Sequence, residues 1–153
     1  MAISIALYQP DIAGNTGAVM RTAACLDLGI EIVEPTGFEL SDRSLKRAGM
    51  DYLSLANLTK HADFDAFERW RTEKNRRLVL LTTKADSVVW DFEFRDDDVV
   101  MFGRETAGVP EEVHAAADAR LTIPMQPGAR SMNLSASVAL VAGEAVRQLR
   151  HRS

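Results

Sequence analysis

Two rhythms of apolar residues alternate along this chain. Short apolar runs of strand character, Ile3–Tyr8, Ile30–Val33, Leu78–Thr82, Val99–Phe102 and Leu121–Ile123, are separated by stretches in which apolar positions recur at helical spacing. The first such stretch predicts a helix from about Thr16 to Leu28, with Asn15 as its N-cap and Gly29 just past its end. Asp42–Ala48 reads as a short basic helix closed by Gly49, and Leu53–Leu58 as a short strand. Asp63–Lys74 places Phe64, Phe67 and Trp70 on one helical face, and Pro110–Ala117 carries its proline at a first turn. Asn133–Leu149 is the long C-terminal helix, with Leu134, Val138, Val141, Ala145 and Leu149 on its buried side. The runs Leu78–Thr82 and Val99–Phe102 are apolar almost throughout, as strands buried on both faces are.

Strands alternating with helices predict an α/β fold with a mostly parallel sheet flanked by helices, organised as a single domain over residues 1–153. In such sheets ligands bind beyond the carboxyl ends of the strands. The Thr82 loop, the block starting at Gly103 and the Pro124 loop each follow a strand, so each is a candidate wall of one pocket.

Composition narrows the chemistry. The net charge of −4 argues mildly against a nucleic-acid partner, but the basic residues are clustered. Arg43, Lys46 and Arg47 form one group; Arg69, Arg71, Lys74, Arg76 and Arg77 a second; Arg147, Arg150, His151 and Arg152 a third. Each is read either as a solvated helix end or as a phosphate-binding surface. The acidic run Asp96–Asp98 reads as a turn before a strand. Cys25 is the only cysteine, which excludes an internal disulfide, and its place on an apolar helix face predicts a buried thiol. His61, His114 and His151 have neither metal-ligand spacing nor an acidic partner in the sequence and read as surface or helix-flank residues, so no metal is expected. No signal peptide and no membrane-length apolar run is visible, which predicts a soluble, cytoplasmic protein without a membrane partner. Val109-Pro110 stands where a phosphate loop requires Lys-Ser/Thr, and neither a dinucleotide fingerprint nor a Gly-x-Ser-x-Gly elbow is present.

Three polar, glycine-bearing or helix-opening blocks remain. They are Asn15-Thr-Gly-Ala-Val-Met-Arg21, Phe102-Gly-Arg-Glu-Thr-Ala-Gly-Val-Pro110 and Arg130-Ser-Met-Asn-Leu-Ser135. The last sets a cation, two hydroxyls and an amide at a helix start, a way to build a small-molecule site. Together the blocks resemble the three signature motifs of the SPOUT superfamily of S-adenosylmethionine-dependent RNA methyltransferases. More narrowly, the chain resembles the small enzymes that methylate the ribose 2′-hydroxyl at tRNA position 34. The resemblance extends over nearly the whole chain, through Leu7-Tyr-Gln-Pro10, Ile32-Val-Glu-Pro35, Arg47-Ala-Gly-Met-Asp-Tyr52, Leu81-Thr-Thr-Lys84 and Ile123-Pro-Met125.

What the resemblance implies is specific. The fold would carry a deep C-terminal trefoil knot, and the protein would act as a homodimer on tRNA. S-adenosylmethionine would be the methyl donor and S-adenosylhomocysteine the product. The cofactor pocket falls on Leu81, Thr82, Gly103, Ile123, Met125, Ser131 and Met132. Arg21 matches the family's essential arginine, and with Asn15, Glu105, Ser131 and Asn133 makes up the catalytic set. A free guanidinium is a poor base, so Arg21 is expected to clamp a phosphate and ease the developing alkoxide. Helix N-capping is the plain alternative for Ser131 and Asn133. Lys46, Arg47 and Arg130, with Arg21, are the expected substrate contacts.

Three positions depart from the family pattern. Gly143 stands where the wobble-position enzymes often carry tyrosine, Ala136 replaces a common asparagine, and Val109 replaces the usual leucine. Two alternatives accompany the wobble-position reading: 2′-O-methylation of another tRNA position or of ribosomal RNA, and a knotted RNA-binding or assembly factor without turnover. Many ribosomal-RNA relatives carry an added N-terminal domain, whereas this sequence opens on its first strand, which favours the minimal tRNA type.

Overall fold

Strands covered on both faces bury consecutive side chains, and the apolar runs of this sequence do so. The computed structural model describes residues 3–47, 57–85, 87–129 and 132–150. Among them seven strands form one wholly parallel sheet: β1 (Ser4–Tyr8), β2 (Gly29–Val33), β3 (Leu58–His61), β4 (Leu78–Leu81), β5 (Ser87–Val88), β6 (Val99–Phe102) and β7 (Ala119–Thr122). Their order is β3-β2-β1-β6-β4-β7-β5. The helices are α1 (Ala13–Cys25), α2 (Asp42–Arg47), α3 (Phe64–Glu73), α4 (Glu111–Ala116) and α5 (Leu134–Arg150), with a 3-10 turn at Val89–Asp91.

The period-2 alternation of each strand sorts its residues between two cores. Ile3, Ile5, Leu7, Val79, Leu81, Val100 and Phe102 meet Val19, Met20 and Ala23 of α1 and Val138, Val141, Ala142 and Ala145 of α5. Ala6, Tyr8, Leu78, Leu80, Val99 and Met101 meet Phe64 and Phe67 of α3 and Val113 of α4. The chain grows outward from β1 to β3, then restarts on the other side at β4, and β6 fills the gap between β1 and β4. The carboxyl ends of β1, β6 and β4 therefore flank the point where the winding reverses, which is where open α/β sheets bind ligands.

Several expectations change. The first helix begins at Ala13, two residues before Asn15, and its N-cap is Ile12, whose side chain makes no capping bond; Asn15 lies within the helix. Cys25 is exposed, because the buried face of α1 is Thr16, Gly17, Val19, Met20 and Ala23 and Cys25 falls off that stripe. The third strand occupies Leu58–His61 rather than Leu53–Leu58, and residues 53–56 and Gly49 lie outside the described residues. The two-residue strand β5 was too short for periodicity to register. His61 is no surface residue: it is 6% exposed, its Nε2 lies 2.9 Å from Glu31 Oε1, and its ring packs on Phe67 and Trp70. The acid partner that the sequence did not reveal comes from the neighbouring strand.

In the second basic group Arg69 and Lys74 are exposed on and at the end of α3, whereas Arg71, Arg76 and Arg77 are neither solvated helix ends nor an open phosphate surface. Arg71 is buried and bonds Glu68, Asp118 and the Arg76 carbonyl. Arg76 is buried and donates to the Asp97 carbonyl, and Arg77 is bidentate to the fully buried Asp98 at 2.8 and 2.7 Å. Asp96 and Asp97 do form the expected turn. Among the described residues no helix is long and apolar enough to cross a membrane.

Candidate functional site

A cavity of about 700 Å³ opens at the carboxyl ends of β4, β6 and β7. Its first wall is Leu81, Thr82, Thr83 and Lys84, where β4 gives way to a turn. Thr82 N–H donates to the Leu121 carbonyl at 2.9 Å and Thr82 Oγ1 accepts from Lys84 N–H at 3.2 Å, so this wall is pinned to β7 and to itself. The second wall is the Phe102–Val109 loop after β6, and the third is Ile123, Met125 and Met132 with the start of α5. The three loops that the strand pattern nominated thus line one cavity.

The second wall is a tight turn. Arg104 and Gly108 exchange backbone hydrogen bonds of 3.1 and 3.0 Å, and Gly108 has a φ of +62°. Gly103 sits inside this closure, where a Cβ would come 2.8 Å from the Gly108 carbonyl carbon. No larger residue fits without opening the turn.

Asn133 joins two of the signature blocks. Its Oδ1 accepts from the N–H groups of Ser135 and Ala136 at 2.9 and 3.3 Å, capping α5, while its Nδ2 donates to Asn15 Oδ1 at 3.4 Å. Capping and a site contact coexist in one side chain. Asn15 and Asn133 both line the cavity. Glu105 lies on the cavity wall as well, its Oε2 accepting from the Asp11 N–H at 3.2 Å. Burial, followed by its hydrogen bond to Asp11, pushes the Glu105 carboxyl up to about 7.

Of the sequence-predicted residues, Asn15, Leu81, Thr82, Gly103, Glu105, Ile123, Met125, Met132 and Asn133 meet around this cavity. Arg21 is exposed on α1 and is not part of the wall. Arg47 is exposed on α2, and Lys46 lies on the same helix with its side chain outside the description. Arg130 and Ser131 lie outside the described residues. The cavity also contains a residue that sequence reasoning set aside. His114 lines it, and its Nε2 is buried without a hydrogen-bond partner among the described residues. The helical spacing of Glu111 and His114 was the available signal, since both face the same side of α4.

The donor set suits a nucleoside with a charged tail. Leu81, Ile123, Met125 and Met132 offer apolar surface to a purine, and backbone groups of the loops can read its edge. Glu105, Asn133 and His114 supply side-chain polarity.

The sequence pattern of the SpoU rRNA Methylase family matches residues 2–143. The chain belongs to the SpoU methylase family. Among SpoU methylase relatives, a tRNA (cytidine(34)-2'-O)-methyltransferase from Beijerinckia indica subsp. indica is 54% identical over 145 residues, 95% of this chain and 91% of its own. A solved structure described as giving structural insights into the 2-OH methylation of C/U34 on tRNA superposes with a TM-score of 0.90 at 39% identity, covering 99% of this chain and 98% of that one. An AdoMet-bound rRNA methyltransferase from Sinorhizobium meliloti superposes with a TM-score of 0.87 at 26% identity, covering 97% of this chain and 57% of that one. The parallel sheet with helices on both faces is the fold these SpoU neighbours share with this chain.

Proposed function

We propose that this chain, a single domain over residues 1–153, transfers a methyl group from S-adenosylmethionine to the ribose 2′-hydroxyl of the nucleotide at position 34 of tRNA. The observation that carries this reading is the convergence of Leu81–Lys84, Phe102–Val109 and Ile123, Met125, Met132 and Asn133 on one nucleoside-sized cavity. That cavity lies in a chain 54% identical over 95% of its length to a tRNA (cytidine(34)-2'-O)-methyltransferase. The bound cofactor supplies an electrophilic methyl on a sulfonium, and S-adenosylhomocysteine is left behind.

This chain's residues do the rest. Leu81, Ile123, Met125 and Met132 hold the purine faces, and the Gly103 turn brings backbone close to the ligand. His114 Nε2 finds its missing partner on the cofactor. The Asn15–Asn133 bond fixes the helix ends that border the site, and Ser131 is assigned to the cofactor by the family motif it matches. A guanidinium is a poor base, so Arg21 acts as a clamp on a phosphate and a stabiliser of the developing alkoxide. Arg47, Lys46 and Arg130 add phosphate contacts, which lets a chain of net charge −4 present a local basic track. An unpaired loop suits this chemistry, because its nucleotides can be splayed out for access.

The protein works in the cytoplasm as a homodimer whose C-terminal segment is threaded as a deep trefoil knot. The resemblance of the signature blocks to the SPOUT motifs supports the threading. Exposed Leu140 and the open space beside Gly143, where a Cβ would meet nothing within 4 Å, support a partner surface along α5. The deciding experiment is incubation with methyl-labelled cofactor and total tRNA, followed by nuclease mapping of the labelled ribose. Label at position 34 is expected. Label elsewhere in tRNA, or only in ribosomal RNA, replaces the substrate, and uptake of neither cofactor nor label overturns the reading.

A further inference from the structure

The Phe102–Val109 wall is anchored to the rest of the domain at a residue that the reaction scheme leaves unused. Asp11 lies in the loop between β1 and α1 and does not line the cavity. Its N–H donates to Glu105 Oε2 at 3.2 Å, and its Oδ2 accepts from the Thr106 hydroxyl at 2.5 Å. Glu105 and Thr106 both line the cavity, so these bonds tie the wall from behind.

Two more oxygens of this junction, Asp11 Oδ1 and Glu105 Oε1, are buried with no donor among the described residues. Both belong to carboxyl groups, and a carboxyl oxygen donates a hydrogen bond only when it holds a proton. Glu105 is the one raised, to about 7, by burial first and then by its bond to Asp11. The bonds Asp11 accepts from Glu105 and Thr106 hold its own carboxyl below the usual carboxylate range. A hydrogen bond to an ionised oxygen is about twice as strong as a neutral one. Two ionised carboxylates at the same contact repel.

Asp11 is also braced from its other side. A Cβ on Gly37, in the loop after β2, would lie 2.8 Å from Asp11 Cα and Cβ, and Gly37 N–H donates to the Pro10 carbonyl at 2.9 Å. Loops following β1, β2 and β6 therefore meet at Asp11, and these three strands are neighbours in the sheet. The ionisable groups that meet here are Asp11 from the β1 loop and Glu105 and Arg104 from the β6 loop. The β2 loop contributes Gly37, which carries no charge. Arg104 is engaged elsewhere, its guanidinium 5.5 Å from the Tyr8 ring centre.

We propose that Asp11 is a positioning residue: through its N–H bond to Glu105 and the bond its carboxylate accepts from the Thr106 hydroxyl, it holds the loop after β6 in the shape that walls the cofactor cavity. This rests on reading that cavity as the S-adenosylmethionine pocket. Above the Glu105 value both carboxyl groups are ionised, and their repulsion loosens the tie that the N–H and hydroxyl bonds make.

Calorimetry of S-adenosylhomocysteine binding, from one pH unit below to one above that value of about 7, tests it in wild type, Asp11→Ala and Asp11→Asn. Wild-type affinity is expected to fall as pH rises through the window. Asp11→Ala is expected to bind about tenfold more weakly at the low end, where the tie is made. Its turnover at saturating cofactor should fall far less than its KM for cofactor rises. Asp11→Asn offers an amide that donates to ionised Glu105 without a shared proton, so it should bind nearly as wild type and flatten the pH response. Thr106→Val keeps the carboxyl pair and loses one bond, which gives a smaller loss and covers the case in which Asp11→Ala does not fold. The proposal is overturned if folded Asp11→Ala binds within twofold of wild type, or if Asp11→Asn keeps the wild-type pH response. Wild type that takes up no cofactor at any pH overturns the pocket reading itself, an outcome separate from variants that bind normally.

Discussion

At the amino-terminal rim of the sheet, charged side chains entering the protein are met by partners. Arg77 is bidentate to Asp98, which is fully buried and also accepts from Arg95 N–H at 2.9 Å. Arg71 joins Glu68 to Asp118, whose Oδ2 also accepts from Leu78 N–H at 2.8 Å. At the carboxyl-terminal rim the pattern reverses. Asp11 Oδ1, Thr16 Oγ1, Glu105 Oε1 and His114 Nε2 are buried with no partner among the described residues. Burying a polar atom without a hydrogen bond costs stability, so a fold keeps such atoms where a shared proton or a ligand completes them. Among the described residues, one rim meets its charged groups within the chain, and the other holds four buried polar atoms without a partner.

Changes at the complete rim should cost stability and spare binding. Asp98→Ala strips Arg77 of its carboxylate inside the protein and should lower unfolding free energy in urea by about 3 kcal/mol. Cofactor affinity per folded molecule should stay as in wild type, and a loss under about 1 kcal/mol would blur the contrast between the rims. Changes on the reactive side should do the opposite. Arg21→Ala is expected to cut methylation about a hundredfold with little effect on melting, and Arg21→Lys to restore part of it. Full turnover in both variants removes the clamp role. His114→Leu fills the same space without the ring nitrogen and should weaken cofactor binding about fivefold while leaving the apo-protein at least as stable. Unchanged binding would mean that Nε2 is completed by something other than the cofactor. The smallest effect is expected at an exposed side chain: Cys25→Ser should shift stability by less than about 0.5 kcal/mol.

The same contrast explains what the sequence made legible. Continuous runs such as Leu78–Leu81 and Val99–Phe102 betray strands covered on both faces, and the loops that follow them inherit the ligand site from parallel-sheet geometry. The family motifs then supplied Asn15, Gly103, Glu105 and Asn133, all of which reach the cavity. What stayed hidden depends on partners distant in the chain. The Glu31–His61 pair spans 30 residues and forms only because β2 and β3 are neighbours. Asp98, one of three consecutive aspartates, is set apart by facing Arg77 and the Arg95 N–H inside the protein. Asp11 sits between a proline and an isoleucine and gains its role from Glu105, 94 residues later. Local preference also misled: asparagine favours N-caps, yet the turn before Asn15 was already helical, which left Asn15 free to meet Asn133.

The exposure of Cys25 has a practical corollary. It is the chain's sole thiol, and it stands one helical turn beyond Arg21 on α1. A maleimide fluorophore would attach at that single point without engineering away other cysteines. Its emission would then register, in real time, the arrival of a polynucleotide at the arginine's side of the helix.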